Sequence, residues 1–540
     1  MQRLSILHRL RRKLRKRDSS FHPQSPRYKW FVLANIMIGT FMAVLDSTIV
    51  NVGLPKIMAS FGVGIDTIEW VITGYMLAMA MSLPASSWLA DRFGYKRIYL
   101  LGLFLFTFGS FLCGLAKDEN FLIAARVLQG LGGGCLLPIG MAIVLREFPP
   151  QQRGVALGFW AIASAASVSF GPLIGGYLID NFSWQLIFDV NIPVGIIGMM
   201  VTILIQKEYA VKDVRKFDLV GFISAILFFP LVLYALSQST AASNSEGWSA
   251  PYILVCFAIS AIALAVFITT ELVVKEPLID LRLFANHNFA ISNLILFIFT
   301  IGMFGSTFLL PLYLQNSLGY TALQSGAVFL PIGFIQGSVA PIVGAVSDRV
   351  NPKIPLIIGL ILLAISFYIN GFLSFLTEHD YIMTSLYIRG FGMAMIFTPI
   401  TTISMLEISH KKMGHATSIS NIIRQLGGSF GVAILATVLT TRVNYHTQMY
   451  GESVQLDSQT LRNVTTHISY YLEKNAGSSR QKAQLQSRAI IASNLGNQAF
   501  IQGIDDDFLI AAIITVLGGI PVFFLHSKKK LKNLYTNNDT

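Results

Sequence analysis

Apolar residues run along this chain in repeated blocks of about 20, each long enough at roughly 1.5 Å per residue to cross about 30 Å of hydrocarbon, and charges gather at the joins. The blocks predict membrane-spanning helices near 31–53, 70–90, 98–116, 121–145, 155–179, 187–206, 219–237, 252–271, 289–314, 323–346, 354–376, 382–406, 417–440 and 508–526. The stretch 441–507 between the last two is polar, with Leu456, Leu461, Val464, Ile468 and Leu472 scattered through it. Two readings fit it, an amphipathic helical hairpin outside the membrane or a solvated loop.

Composition agrees with the spans. Of 540 residues 53% are hydrophobic and 13% charged, against roughly 25% charged in a soluble globular domain. Cys113, Cys135 and Cys256 all fall in apolar blocks, and their spacing makes neither a disulfide framework nor a zinc site. The net charge of +12 includes ten Lys and Arg in the first 30 residues, among them Arg11, Arg12, Lys13, Arg15, Lys16 and Arg17. That segment reads as a cytoplasmic tail beside anionic lipid, and nucleic acid is not an expected partner. The apolar block that follows is too long for the core of a signal peptide.

With the N-terminus inside, the inward joins and tails hold 29 of the 40 Lys and Arg, and the short outward loops contribute only Lys56 and Lys117. The positive-inside rule therefore places both termini in the cytoplasm, as an even number of spans requires.

The chain also repeats. Ser87-Trp-Leu-Ala-Asp91-Arg92 closes span 2 and Gly344-Ala-Val-Ser-Asp348-Arg349 closes span 10, each followed by basic residues, Lys96 and Arg97 in one case and Lys353 in the other. Arg126 opens a glycine-rich span 4 with Pro138 further on, and Arg389 opens span 12 with Gly390, Gly392 and Pro399. An all-α architecture of two six-helix bundles with two extra central helices fits this spacing, and parallel halves rocking about a midplane site are a recurrent transporter design. The expected units are a basic tail 1–29, bundles 30–206 and 288–526 with the external segment 441–507, an inserted pair 207–287, and a tail 527–540.

An ionisable side chain inside a span costs about 2.5 to 3.5 kcal/mol on insertion scales, which makes it a functional candidate. Asp46 is the one carboxylate expected well within a span, about 24 Å from the inner edge of span 1. Arg126, in the oppositely directed span 4, lies about 9 Å below the outer edge, so the two can share a depth. Such a pair is either a static buried salt bridge or a proton switch, in which desolvation and the nearby guanidinium act on the carboxyl in opposite directions. Arg389 and Arg424 are the other intramembrane cations, expected to face a cavity or carbonyl groups, and Asp189 stands near the outer start of span 6. Ala163, Ser167, Gly171 and Gly175 set a small-residue stripe along span 5 for close helix approach, with Pro172 favouring a kink.

Three patterns mislead. Gly427-Gly-Ser429-Phe-Gly431 matches a hydrolase elbow but lacks the strand that motif needs. The span 4 glycines fail the dinucleotide register at Cys135, and Asp505 to Asp507 read as interfacial acids at the entry to span 14. Neither nucleophile and base nor metal ligands converge in the spans, so an enzyme is not expected, and the cytoplasmic tails are too short for a receptor's signalling domain.

These motifs together resemble the major facilitator superfamily, and within it the fourteen-span drug:proton antiporters of the EmrB/QacA type. Leu45-Asp46 through Leu54-Pro55 resembles that branch's span 1 signature, and Asp91-Arg92-Phe-Gly94-Tyr-Lys96-Arg97 resembles the superfamily's loop after span 2. Arg126 with Gln129 and Gly130 is similar to the span 4 motif linked to proton transfer, and Gly171-Pro172 with Gly175-Gly176 to the antiporter motif. Further matches are Trp184 to Phe188 leading into Asn191-Ile-Pro193, Phe217-Asp218, and Asn421 with Arg424 and Gln425. Ser87 and Ser167 stand where those motifs usually begin with glycine, and Asp189 where an apolar residue is usual. The resemblance implies export of small lipophilic, often cationic compounds across a cell's inner membrane, driven by the proton gradient with no bound cofactor. A dedicated exporter of one metabolite, siderophore or lipid is the alternative. In a cell with two membranes it also implies a periplasmic adaptor protein.

Overall fold

The computed structural model describes residues 25–63, 65–209, 218–239, 244, 246–349, 351–453, 459–476 and 479–526. Among them the protein is helical throughout, and eleven segments are long and apolar enough to cross a membrane. Ile65–Phe93, Arg153–Asn181 and the shorter Lys353–Ile369 pack between those eleven, which is consistent with the fourteen spans expected from the apolar blocks.

Spans 1 to 5 are the helices Tyr28–Phe61, Ile65–Phe93, Tyr95–Gly114, Glu119–Glu147 and Arg153–Asn181. Span 6 is a short turn of helix, Leu186–Asp189, followed by Asn191–Ile205, and the inserted pair is Leu219–Ser239 and Pro251–Val273. The second half holds His287–Asn316 as span 9, Ala322–Ala327 with Leu330–Arg349 as span 10, and then Lys353–Ile369, His379–Met405, Met413–Ser453 and Arg480–Gly519. Capping sets several starts: Asp118 accepts from the Phe121 amide ahead of span 4, and Asn286 from Phe289 ahead of span 9. Thr321 and Gln324 form a capping box at span 10.

Each half has its own apolar core, one around Tyr28, Tyr99, Phe106 and Trp160 and the other around Phe299, Tyr313, Phe367 and Phe508. The halves meet along two seams, span 5 against span 10 and span 2 against span 13. The inserted span 7 lies over the second seam, where Phe229 and Leu233 share an apolar cluster with Leu83 of span 2 and Ile422 of span 13.

Span 5 fits its seam through missing side chains. A Cβ on Gly158 would stand 2.5 Å from the Ala340 carbonyl oxygen, and one on Gly344 would strike the Gly154 carbonyl. Only glycine lets the two backbones come this close, the same logic as small-residue stripes in other membrane helices.

The described residues of the segment 441–507 are mostly helix. Span 13 runs unbroken for 41 residues to Ser453, and the last helix spans 40 residues from Arg480; at 1.5 Å per residue each is about 60 Å long, twice the hydrocarbon thickness. Helix Gln459–Ala476 packs on the projecting part of the last helix, with Leu461, Ile468 and Leu472 half-buried and Ser469 bonded to Ser487 at 3.0 Å. These described helices pair as a hairpin, and they extend into what the apolar pattern set aside as loop. Leu456 lies outside the described residues.

Candidate functional site

Span 1 carries Asp46 into the middle of the first bundle, where it is fully enclosed. Arg126 of span 4 donates from Nη1 to Asp46 Oδ2 at 2.5 Å and from Nε to the Val71 carbonyl at 3.1 Å. Its guanidinium lies over the Tyr75 ring, 4.0 Å from the centroid. Both ion-pair partners are at most 1% exposed. The Asp46–Arg126 pairing expected from equal depth is therefore present.

Two amides complete the carboxylate's shell. Gln129, one turn after Arg126, donates to Asp46 Oδ1 at 2.8 Å and accepts from Arg126 at 2.6 Å. Asn191 of span 6 donates to the same Oδ1 at 3.0 Å, and both amides also reach Ser110 of span 3. Four spans thus hold one carboxylate, every polar atom of the shell is close to a partner, and burial without such partners would cost several kcal/mol. Gln129 and Asn191 stood in the sequence only as family-like positions. Ser110 and Tyr75 carried no sequence signal, because an isolated serine or tyrosine in an apolar block looks like packing.

Span 5 backs span 1 on either side of Asp46 along the helix. Ser167 donates to the Phe41 carbonyl at 2.9 Å. A Cβ on Gly171 would collide with the Thr48 hydroxyl, and one on Gly175 would stand 2.8 Å from Ile49. Gly176 faces the other way, toward Leu323 of span 10. The stripe from Ala163 to Gly175 therefore packs span 5 on span 1, while Gly158 and Gly176 pack it on span 10. The helix is continuous through Pro172, whose side chain lies outside the described residues.

At the bundle end that bears the Asp-Arg turns, Asp91 accepts from the Tyr95 hydroxyl at 2.8 Å and faces Arg146 and His415, each at 3.5 Å. Burial would push its carboxyl up, yet His415, Tyr95 and Arg146 together hold it below the usual carboxylate range. His415 opens span 13, so Asp91 ties the first half to the second. Gly94 has φ 99°, a conformation that favours glycine. Lys96 donates to the carbonyls of Ile203 and Gln206 at 2.8 and 2.6 Å, and Arg97 lies 3.8 Å from Glu208. Arg92 and Arg349 are exposed, with Arg92 over the Trp88 ring; the Asp348 side chain lies outside the described residues.

The remaining candidates separate. Asp189 is half-buried against Gly114 at the end of span 3 and does not join the Asp46 shell, although Asn191, two residues on, does. Arg389 is the second-half counterpart of Arg126, but it donates to the Met303 carbonyl and the hydroxyls of Ser306 and Thr307, at 3.1, 2.9 and 2.6 Å, with no carboxylate partner among the described residues. Arg424 donates to Asn421 at 2.7 Å and lies over Phe397, whose ring stacks on Trp160 of span 5. It therefore sits where the halves meet. The acids before span 14 are not simply interfacial: Asp506 pairs with Arg442 and His446, while Asp507 is fully buried and neither of its oxygens has a hydrogen-bond partner among the described residues. Glu271 is likewise enclosed, so Asp46 is not the sole deep carboxylate. The apolar pattern read Asp507 as interfacial and passed over Glu271, because each lies at a block edge, where sequence assigns interfacial water.

Between spans 5 and 10 an apolar cleft of about 500 Å³ opens, lined by Phe159, Ile162, Phe170, Phe334 and Gly337.

A multi-pass helical bundle of two echoing halves, with a buried ion pair in one and a loop locking it to the other, is the design of a secondary transporter. The sequence matches the model of the Major Facilitator Superfamily over residues 36–432, and the chain belongs to that family. It is 32% identical to the uncharacterized MFS-type transporter YhcA of Bacillus subtilis, over 93% of each chain. It is 30% identical to the multidrug export protein EmrB of Escherichia coli, over 90% of this chain and 94% of that one. It is also 30% identical to the fatty acid resistance protein FarB of Neisseria gonorrhoeae, over 92% and 95%. Among solved structures, the human organic anion transporter MFSD10 aligns with a TM-score of 0.59 at 14% identity, over 93% of this chain and all of that one. The proton:xylose symporter XylE aligns with a TM-score of 0.59 at 13% identity, over 93% and 96%; both speak for the fold alone.

Proposed function

We propose that this protein is a proton-coupled antiporter that exports small hydrophobic or cationic compounds across the inner membrane, with both termini in the cytoplasm. The observation that carries the reading is the enclosed Asp46–Arg126 pair with its Gln129 and Asn191 shell. A proton on Asp46 removes the charge that three donors satisfy, so spans 1, 4 and 6 then favour a different arrangement. Span 5, packed on span 1 by Gly171 and Gly175 and on span 10 by Gly158, carries that change to the seam between the halves.

Relatives named for multidrug export and multidrug resistance support broad lipophilic substrates, as does the phenylalanine-lined cleft, whose volume is in the range of small-molecule sites. A second reading, export of one lipid-like compound by the same mechanism, is favoured by the relative named for fatty acid resistance. In a cell with two membranes, an adaptor protein would meet the helical projection formed by spans 13 and 14.

Everted vesicles with an acid interior test the proposal. Lipophilic cations added one by one should release protons from wild-type vesicles, and Asp46→Asn should abolish the response. Unchanged proton release in Asp46→Asn refutes the coupling assignment. A response to a fatty acid alone favours the second reading.

A further inference from the structure

The inserted pair of spans holds a feature the transport reading leaves unused. Asp218 caps span 7, accepting from the Gly221 amide at Oδ1 at 2.8 Å. Glu271, at the end of span 8, accepts from the Ile279 amide at Oε2 at 3.0 Å. The other two oxygens, Asp218 Oδ2 and Glu271 Oε1, have no hydrogen-bond partner among the described residues. Both are aimed at one place: they lie 2.6 and 2.8 Å from the point a Cβ on Gly221 would occupy. Asp218 is 8% exposed and Glu271 fully buried.

Among the described residues, Arg282, Lys412, His415 and Arg92 are engaged elsewhere, and Lys275 is exposed. Arg282 donates to the carbonyls of Leu272 and Val274 at 3.0 Å. Lys412 is 2.6 Å from Asp280, and His415 accepts from the Asp280 amide at Nδ1, which leaves Nε2 to donate toward Asp91 of span 2. Lys275 and Glu276 continue the same connection, and Arg92 lies over Trp88. Among the described residues no cation stands between these two converging buried carboxylates; such a pair cannot both stay ionised cheaply, and one proton held between them removes the repulsion and supplies the missing hydrogen bond.

We infer that Asp218 and Glu271 share one proton and form a second proton-binding site, in the inserted spans and separate from Asp46. The site holds the connection 274–286, which touches both halves: the Leu278 carbonyl accepts from Ser87 of span 2 at 3.4 Å, and Asp280 holds Lys412 and His415 at the start of span 13. Loss of the proton leaves two like charges that part spans 7 and 8 at this end and loosen the connection from the span 2 and span 13 seam.

The full chain, purified into lipid nanodiscs, is treated at neutral pH with dicyclohexylcarbodiimide, which attacks buried protonated carboxyls, and the modified peptides are located by mass spectrometry. Glu271 or Asp218 should be modified, at least tenfold less at alkaline pH. Infrared difference spectra should show a protonated-carboxyl band that both Glu271→Gln and Asp218→Asn remove, while Asp46→Asn leaves it in place. No modification of either residue in the wild type overturns the inference without recourse to a variant. So does an unchanged band in both variants. Loss of the wild-type modification on adding sodium or magnesium at fixed pH also overturns it, by showing a metal cation between the oxygens.

Discussion

Arg126 reaches from span 4 to Asp46 of span 1 at 2.5 Å, in a place where neither side chain meets solvent. The contact holds two helices of the first half by one charge on each, so removing either charge has a cost set by the other. Arg126→Leu leaves a buried carboxylate with two amide donors only and should destabilise the protein by about 3 to 5 kcal/mol, read as a lower thermal midpoint in detergent. Arg126→Lys should fail as well, because an ammonium on one stem cannot serve Asp46, Gln129 and the Val71 carbonyl with a planar fork.

Gly171 and Thr48 make a paired test of the span 5 stripe. Gly171→Ala puts a methyl group into the Thr48 hydroxyl and should cost about 1 to 3 kcal/mol as overpacking, with transport reduced. Thr48→Gly in the same chain should restore much of both, since it removes the hydroxyl and also the Cβ that would stand 2.9 Å from the new methyl. Failure of the double variant to recover would show that the glycine serves bending, not contact.

The Asp91 cluster gives a pH expectation with a definite sign. Its folded-state carboxyl is held below the usual value by His415, Tyr95 and Arg146, so its stabilisation is complete above the unfolded value of about 3.9 and is lost as pH falls through the lower folded one. Spin labels on spans 2 and 13 at this end should therefore report a separation that does not change through Asp91 between about pH 5 and 8. Asp91→Asn should widen that separation at every pH in the range.

Gly344→Val should open the span 5 and span 10 seam, because the new side chain would occupy the Gly154 carbonyl. Double electron resonance between labels on Arg349 and Gln152 should show a longer distance than in the parent, and an unchanged distance would mean that the seam yields elsewhere.

What could be read along the chain follows from lengths and repetition. A span must be apolar for about 20 residues because the bilayer offers backbone groups no partner. Such helices appear in block order, and the Asp-Arg pairs fall at the ends of the corresponding spans 2 and 10. Asp46 and Arg126 were legible because a charge in hydrocarbon is conspicuous and depth can be counted. Their neighbours were less so: Ser110, Tyr75 and Asn191 join the pair only because spans 2, 3 and 6 converge there, and a single polar residue per helix leaves no periodic mark. The same holds at Gly221, where carboxylates 53 residues apart in sequence meet. The chain by itself therefore determines how many helices cross, in what order, and which charges must be sheltered, since each of these is a local balance of burial and hydration. Which side chains shelter them, and which glycines bring the halves into contact, is decided by the tertiary structure, because helix packing brings distant residues within a few ångströms and no local pattern encodes that distance.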